Sequence, residues 1–99
     1  MNSQEICQAV ADWAQQQNFT APYGVLTGQH INKKGKKFHS VTFGYARTLD
    51  ATVEIYNRNF IVFRTNATGS EVFKSYDELM AELTNRYGFQ NERTNKKTC

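Results

Sequence analysis

The sequence predicts a two-layer α+β fold. An antiparallel meander sheet of four to five strands carries an N-terminal and a C-terminal helix on one face, in the order α-β-β-β-β-(β)-α. Three observations predict it. Apolar residues recur at helical spacing in the first and last thirds of the 99-residue chain. They alternate at every second position through the middle, and glycine- or asparagine-rich breaks separate the alternating runs. A chain of this length makes one domain, taken as 1–89, with 90–99 expected to be a polar, basic, flexible C-terminal tail.

The first helix is predicted over 3–17. Ile6, Val10, Trp13 and Gln17 fall at spacings of four, three and four, with Ala9 and Ala14 alongside. Asn2 or Ser3 serves as N-cap, and Glu5 in the first turn complements the helix dipole. Asn18-Phe19-Thr20-Ala21-Pro22, with the only proline, ends it.

A first strand over 23–31 is weakened by Gly24 and Gly28. Asn32-Lys33-Lys34-Gly35-Lys36-Lys37 is a turn, followed by a strand over 38–47 in which Val41, Phe43 and Tyr45 alternate with small or polar residues. Strands over 51–56 and 60–65 flank the turn Asn57-Arg58-Asn59. Asn66-Ala67-Thr68-Gly69 leads to a short strand over 71–74. Pairing Val41 with Ile55, Phe43 with Val53, Ile55 with Ile61 and Val53 with Phe63 gathers these apolar residues on one face, the predicted sheet core; a register one residue away stays open after Tyr56, because Phe60 and Val62 are apolar too.

The second helix is predicted over 76–87. Ser75 and Glu78 form a capping box, Leu79, Met80, Leu83 and Tyr87 make the apolar stripe, and Gly88 marks the end.

Seven Phe, five Tyr and one Trp supply a core of a few large side chains, and a net charge of +3 suits a folded chain. Cys7 and Cys99 are far apart in sequence, so no disulfide framework is expected, Cys7 reads as a buried thiol, and a reducing, cytoplasmic setting follows. The chain has no apolar run of membrane-spanning length, so no membrane partner is expected. Residues 1–5 lack the basic and apolar regions of a signal peptide, so the sequons Asn18-Phe19-Thr20 and Asn66-Ala67-Thr68 read as chance matches.

No phosphate loop, cysteine pair at metal spacing or nucleophile elbow is present, so neither an enzyme nor a cofactor is expected. Asp77, Glu78 and Glu82 serve helix capping and solvation. If Ile31 pairs with Phe38, His30 and His39 lie opposite each other. Two imidazoles are too few for a tight metal site, so none is assigned.

Charge is the most informative feature. Residues 1–29 contain Glu5 and Asp12 but no Lys or Arg, whereas Lys33, Lys34, Lys36, Lys37, Arg47, Arg58 and Arg64 face only Asp50 and Glu54 in the middle of the chain. Basic strands under acidic helices predict a positive side opposite the helices, which draws polyanions. Phe38, Tyr56 and Phe60 fall on that side, and aromatics among cations on an open sheet stack nucleobases in single-strand binders. The candidate nucleic-acid-binding residues are Lys33, Lys34, Lys36, Lys37, Phe38, Tyr56, Arg58, Phe60 and Arg64. The sequence therefore points to a small, non-enzymatic accessory or regulatory protein binding DNA or RNA. The alternative is a protein-binding inhibitor or regulator of phage or mobile-element type, using the sheet face or an edge, with a homodimer open in either case.

Overall fold

The computed structural model describes residues 1–17, 24–44, 51–66 and 69–88. The stretch 90–99, Cys99, Tyr45, Arg47, Asp50, the segment 18–23 and parts of both sequons lie outside the described residues. The order is α1 (Ser3–Gln15), β1 (Val25–Ile31), β2 (Lys37–Phe43), β3 (Ala51–Asn57), β4 (Phe60–Thr65), β5 (Gly69–Phe73) and α2 (Tyr76–Leu83), followed by a π-helical turn (Thr84–Gly88). The five strands form one antiparallel sheet in sequential order, β1-β2-β3-β4-β5. This is the α+β arrangement predicted.

Helix α1 starts at Asn2. Its side chain accepts a hydrogen bond from the Glu5 amide at 2.9 Å, and the Glu5 carboxylate accepts one from the Asn2 amide at 2.9 Å. Two of the free amides of the first turn are thus satisfied reciprocally. At α2 the Ser75 hydroxyl accepts from the Glu78 amide at 3.1 Å, but the Glu78 carboxylate reaches one residue further back than predicted, to the amide of Lys74 at 3.0 Å. The regular α-helix stops at Leu83 and the π-helical turn completes the predicted span. This element holds Arg86 beside Glu82 and Glu71, at 2.6 and 2.7 Å.

Side chains on alternate strand positions separate into two faces. On the helix side, Val41, Phe43, Ala51, Val53, Ile55, Ile61 and Phe63 meet Ile6, Cys7, Val10, Ala11 and Ala14 of α1 and Leu79 and Leu83 of α2 in one buried cluster. Trp13 packs edge-on against Phe43 and Tyr87, with ring centroids 5.8 and 6.0 Å away. The predicted register of β3 with β4 holds: Ile55 pairs with Ile61 and Val53 with Phe63. The predicted register of β2 with β3 does not. Val41 pairs with Val53, His39 with Ile55 and Phe43 with Ala51, two residues away from the expected pairing. A slip of two keeps every side chain on its face, which is why the predicted core survives the error.

No helix among the described residues is long and apolar enough to cross a membrane.

Candidate functional site

The β1–β2 connection is organised by Asn32. Its side-chain oxygen accepts hydrogen bonds from the amides of Lys34 and Lys36, both at 2.9 Å. Its backbone amide donates to the Lys36 carbonyl at 2.9 Å, and its carbonyl accepts from the Gly35 amide at 2.9 Å. A side chain that mimics a backbone turn is a standard use of asparagine. Gly35 closes the turn at a φ of +81°, a left-handed conformation that favours glycine. Lys33, Lys34, Lys36 and Lys37 are all exposed around this frame.

The turn closes between Ile31 and Lys37, one residue earlier than the pairing of Ile31 with Phe38 considered above. His30 therefore pairs with Phe38 and His39 with Gln29. Neighbours along a strand point to opposite faces, so the two histidines are separated by the sheet and do not form the opposed pair expected. Among the described residues no group of three or more His, Cys, Asp or Glu is placed to hold a metal. His30 instead hydrogen-bonds through Nε2 to Ser40 Oγ at 2.9 Å, leaning across Gly28.

The face away from the helices carries a row of rings at the same end as the lysine turn. His30 and Phe38 have centroids 5.1 Å apart, Phe38 and Tyr56 4.9 Å, and Tyr56 and Phe60 5.2 Å. A bulge between Ile55 and Asn57 brings Tyr56 and Phe60 together where β3 turns into β4. The rings are too close to admit a base between them, so Phe38 and Tyr56 spend their faces on their neighbours. Phe60 ends the row and is 43% exposed. Lys36, Lys37, Tyr56, Asn57 and Phe60 line an open hollow of ≈ 520 Å³ beside it.

Glu54 holds Tyr56: the Tyr56 hydroxyl donates to Glu54 Oε1 at 3.2 Å. Burial raises its pKa above the ordinary tyrosine value, the Glu54 charge and hydrogen bond raise it further, and the Arg64 charge opposes them.

Of the predicted site residues, Lys33, Lys34, Lys36, Lys37, Phe38, Tyr56 and Phe60 gather at one end of the sheet. Arg58 lies at that end too, but lines a hollow with Met1, Asn2, Ser3, Glu5 and Asn57. Arg64 meets this group through Glu54: its Nε donates to Glu54 Oε2 at 3.0 Å, the Tyr56 hydroxyl donates to Oε1 of the same carboxylate, and the Arg64 guanidinium donates to Ser70 Oγ at 2.7 Å. On the face expected to be positive, Arg64 is thus paired with Glu54, while the four lysines are exposed around the turn. Asn32 is the functional candidate that the sequence reading missed, and His30, weighed there only as half of an opposed pair, stands in the ring row instead. For Asn32 the signal was present, an asparagine opening a turn before Lys-Lys-Gly.

Cys7 is buried under α1, with Sγ 3.9 Å from the Ser40 carbonyl oxygen, and burial pushes its thiol pKa up. That combination fits a core thiol and not a nucleophile.

Comparison with known proteins returns no family model that matches the chain, and neither a curated protein nor a solved structure similar to it at a significant level.

Proposed function

We propose that this chain is a small, non-enzymatic binding protein that takes single-stranded nucleic acid at the lysine end of its sheet. One observation carries the reading: the exposed ring of Phe60 and the exposed Lys36 and Lys37 border the same hollow. A base stacks on Phe60 while the neighbouring phosphates meet the lysines, the combination that serves single strands without base-specific contacts. The rings behind Phe60 keep it from folding back onto the sheet, so little side-chain freedom is lost on binding.

The test is salt dependence. Binding to single-stranded DNA and RNA is expected to weaken steeply with salt, and replacing Lys33, Lys34, Lys36 and Lys37 together by Ala is expected to lower the slope by up to about four. The fold is expected to tolerate the change to within ~0.5 kcal/mol, because these are exposed turn positions. A folded quadruple variant that binds as well as the wild type rules the turn out as the contact.

A protein-binding regulator is the second reading, favoured by the exposed apolar Phe60 and Val72 on the same face. If the wild type has no salt-sensitive affinity for either nucleic acid, this reading replaces the first. Affinity capture with and without nuclease separates the two.

A further inference from the structure

The sheet has two edges, and they are built differently. Strand β5 is short, begins at Gly69 with a φ of +77°, and carries Glu71, whose carboxylate accepts from Arg86 at 2.7 Å. A short, charged edge beside a covering element is protected against strand addition. Strand β1 is neither short nor charged. It is seven residues long, Val-Leu-Thr-Gly-Gln-His-Ile, without a proline, lysine, arginine or carboxylate. Leu26 is 45% exposed and Ile31 66% exposed. Among the described residues β1 pairs with β2 on one side, and no strand pairs with its other side.

We propose that β1 is the interface for a second copy of this chain, paired antiparallel about Gly28 to make one continuous sheet across the dimer. The sequence of the strand is what selects a second copy. Gly28 is its central residue, and a two-fold axis there sets Val25 against Ile31, Leu26 against His30, and Thr27 against Gln29 of the other copy. Two of the three pairs match in character, and the third sets an aliphatic side chain on a ring. Val25 covers the exposed Ile31 on the helix side. Leu26 covers the His30 ring on the opposite side, where it continues the row beyond Phe38. Thr27 and Gln29 make a polar pair. The absence of formal charge matters more for self-association than for any other partner, because a charge near the axis meets its own image. Glycine at the centre lets the two backbones approach without side chains between them.

Sedimentation equilibrium of the full chain, treated with nuclease and held at about 0.5 M salt to remove nucleic-acid bridging, is expected to show a reversible dimer. Thr27→Lys with Gln29→Lys sets cation against cation in both pairs and is expected to weaken the dimer about tenfold or more. Thr27→Lys with Gln29→Glu puts opposite charges in the same pairs and is expected to restore it. Hydrogen exchange supplies a second readout: amides on the outer side of β1 are expected to be protected in the wild type at high concentration and unprotected in the double-lysine variant. A wild-type chain that stays monomeric at every concentration overturns the proposal, even if β1 accepts a strand from another protein. A dimer that the double-lysine variant leaves intact overturns it as well.

Discussion

Phe60 and Phe63 lie three residues apart on β4 and face opposite ways. Phe63 is fully buried between the helices and the sheet, with the Arg86 guanidinium 5.3 Å from its ring centroid, whereas Phe60 is 43% exposed at the end of the ring row. The same contrast runs through the sheet. Its helix side is a closed apolar cluster, and its other side mixes rings, hydroxyls and one ion pair. The lesson is that residue type alone does not assign a role here. Position along the strand decides whether an aromatic is sealed in the core or stands at the surface.

The largest effect that can break this comparison is on stability. Phe63→Ala is expected to cost about 3–5 kcal/mol, because it empties a fully buried ring site, and Leu83→Asp about 3 kcal/mol or more, because it sets a carboxylate in the same cluster. Phe60→Ala is expected to cost about 1 kcal/mol or less, since it removes one partly exposed contact at the row's end. Denaturant unfolding of the three variants checks this. Equal losses for Phe60 and Phe63 would mean that the outer rings are core and are not presented.

Next in size is Asn32→Ala. Its side-chain oxygen satisfies two amides in the lysine turn. The turn is solvent-exposed, so water replaces part of what is lost, and the expected cost is about 1 kcal/mol. Its effect on binding is expected to exceed its effect on stability, because it loosens the turn that positions the lysines while leaving their charge in place. Titration with a single-stranded oligonucleotide, set against a thermal melt, separates the two. Unchanged affinity would show that the lysines work without a fixed turn.

The outer face has its own internal test. A Cβ at Gly28 would meet His30 Nε2 at 2.9 Å and Ser40 Oγ at 3.5 Å. The imidazole is a side-chain tip and swings away, so Gly28→Ala is expected to break the His30–Ser40 bond and move His30 off Phe38. Loss of that bond and the gain from replacing a strand glycine nearly cancel, and stability is expected to stay within ~1 kcal/mol. The observable is the ring-current shift of the His30 protons. If these do not move, His30 is not part of the row.

How far the sequence reveals these features depends on which physical signal sets each one. The helix-side face is legible where residues alternate, as in Val41 and Phe43 and in Val53 and Ile55; in Phe60-Ile61-Val62-Phe63 every residue is apolar, and the structure is what turns Ile61 and Phe63 inward. The β2–β3 register is not legible, since a two-residue slip changes no face and the connection over 44–50 is too long to dictate the pairing. The histidine geometry was lost to a single residue. Asn32 closes the hairpin through its own side chain, and binary patterning carries no information about that bond. Phe38, Tyr56 and Phe60 could be put on one face by counting, but their mutual stacking depends on the bulge at Tyr56, which no spacing announces. Arg64 is a candidate contact in the sequence, and its pairing with Glu54 is not legible there because the two lie ten residues apart and become neighbours only across adjacent strands.

The smallest expected effect concerns the Tyr56 hydroxyl, which Glu54 holds on the outer face. Burial first, then Glu54, keeps Tyr56 above the ordinary tyrosine value. The folded chain therefore holds this proton more tightly than the unfolded chain does. The stability that follows is fully present below the ordinary tyrosine range, near pH 10, and is lost as pH rises through the raised value of the folded state. Tyr56→Phe keeps the ring in the row and removes only the hydroxyl. Below that range the wild type is expected to exceed the variant by ~0.5 kcal/mol, a value at the low end because the bond to Glu54 is near the surface. The difference should close as pH rises, and lysine deprotonation over the same range cancels because both chains carry the same lysines. Glu54→Gln keeps the ring's burial while removing the charge, so it is expected to bring the Tyr56 titration part of the way back toward ordinary tyrosine, as read from phenolate absorbance against the Tyr56→Phe blank. A Tyr56 that titrates like free tyrosine in the wild type would mean that Glu54 is not holding it. Tyr56 and Arg64 would then act independently, without the Glu54 carboxylate that both of them bond.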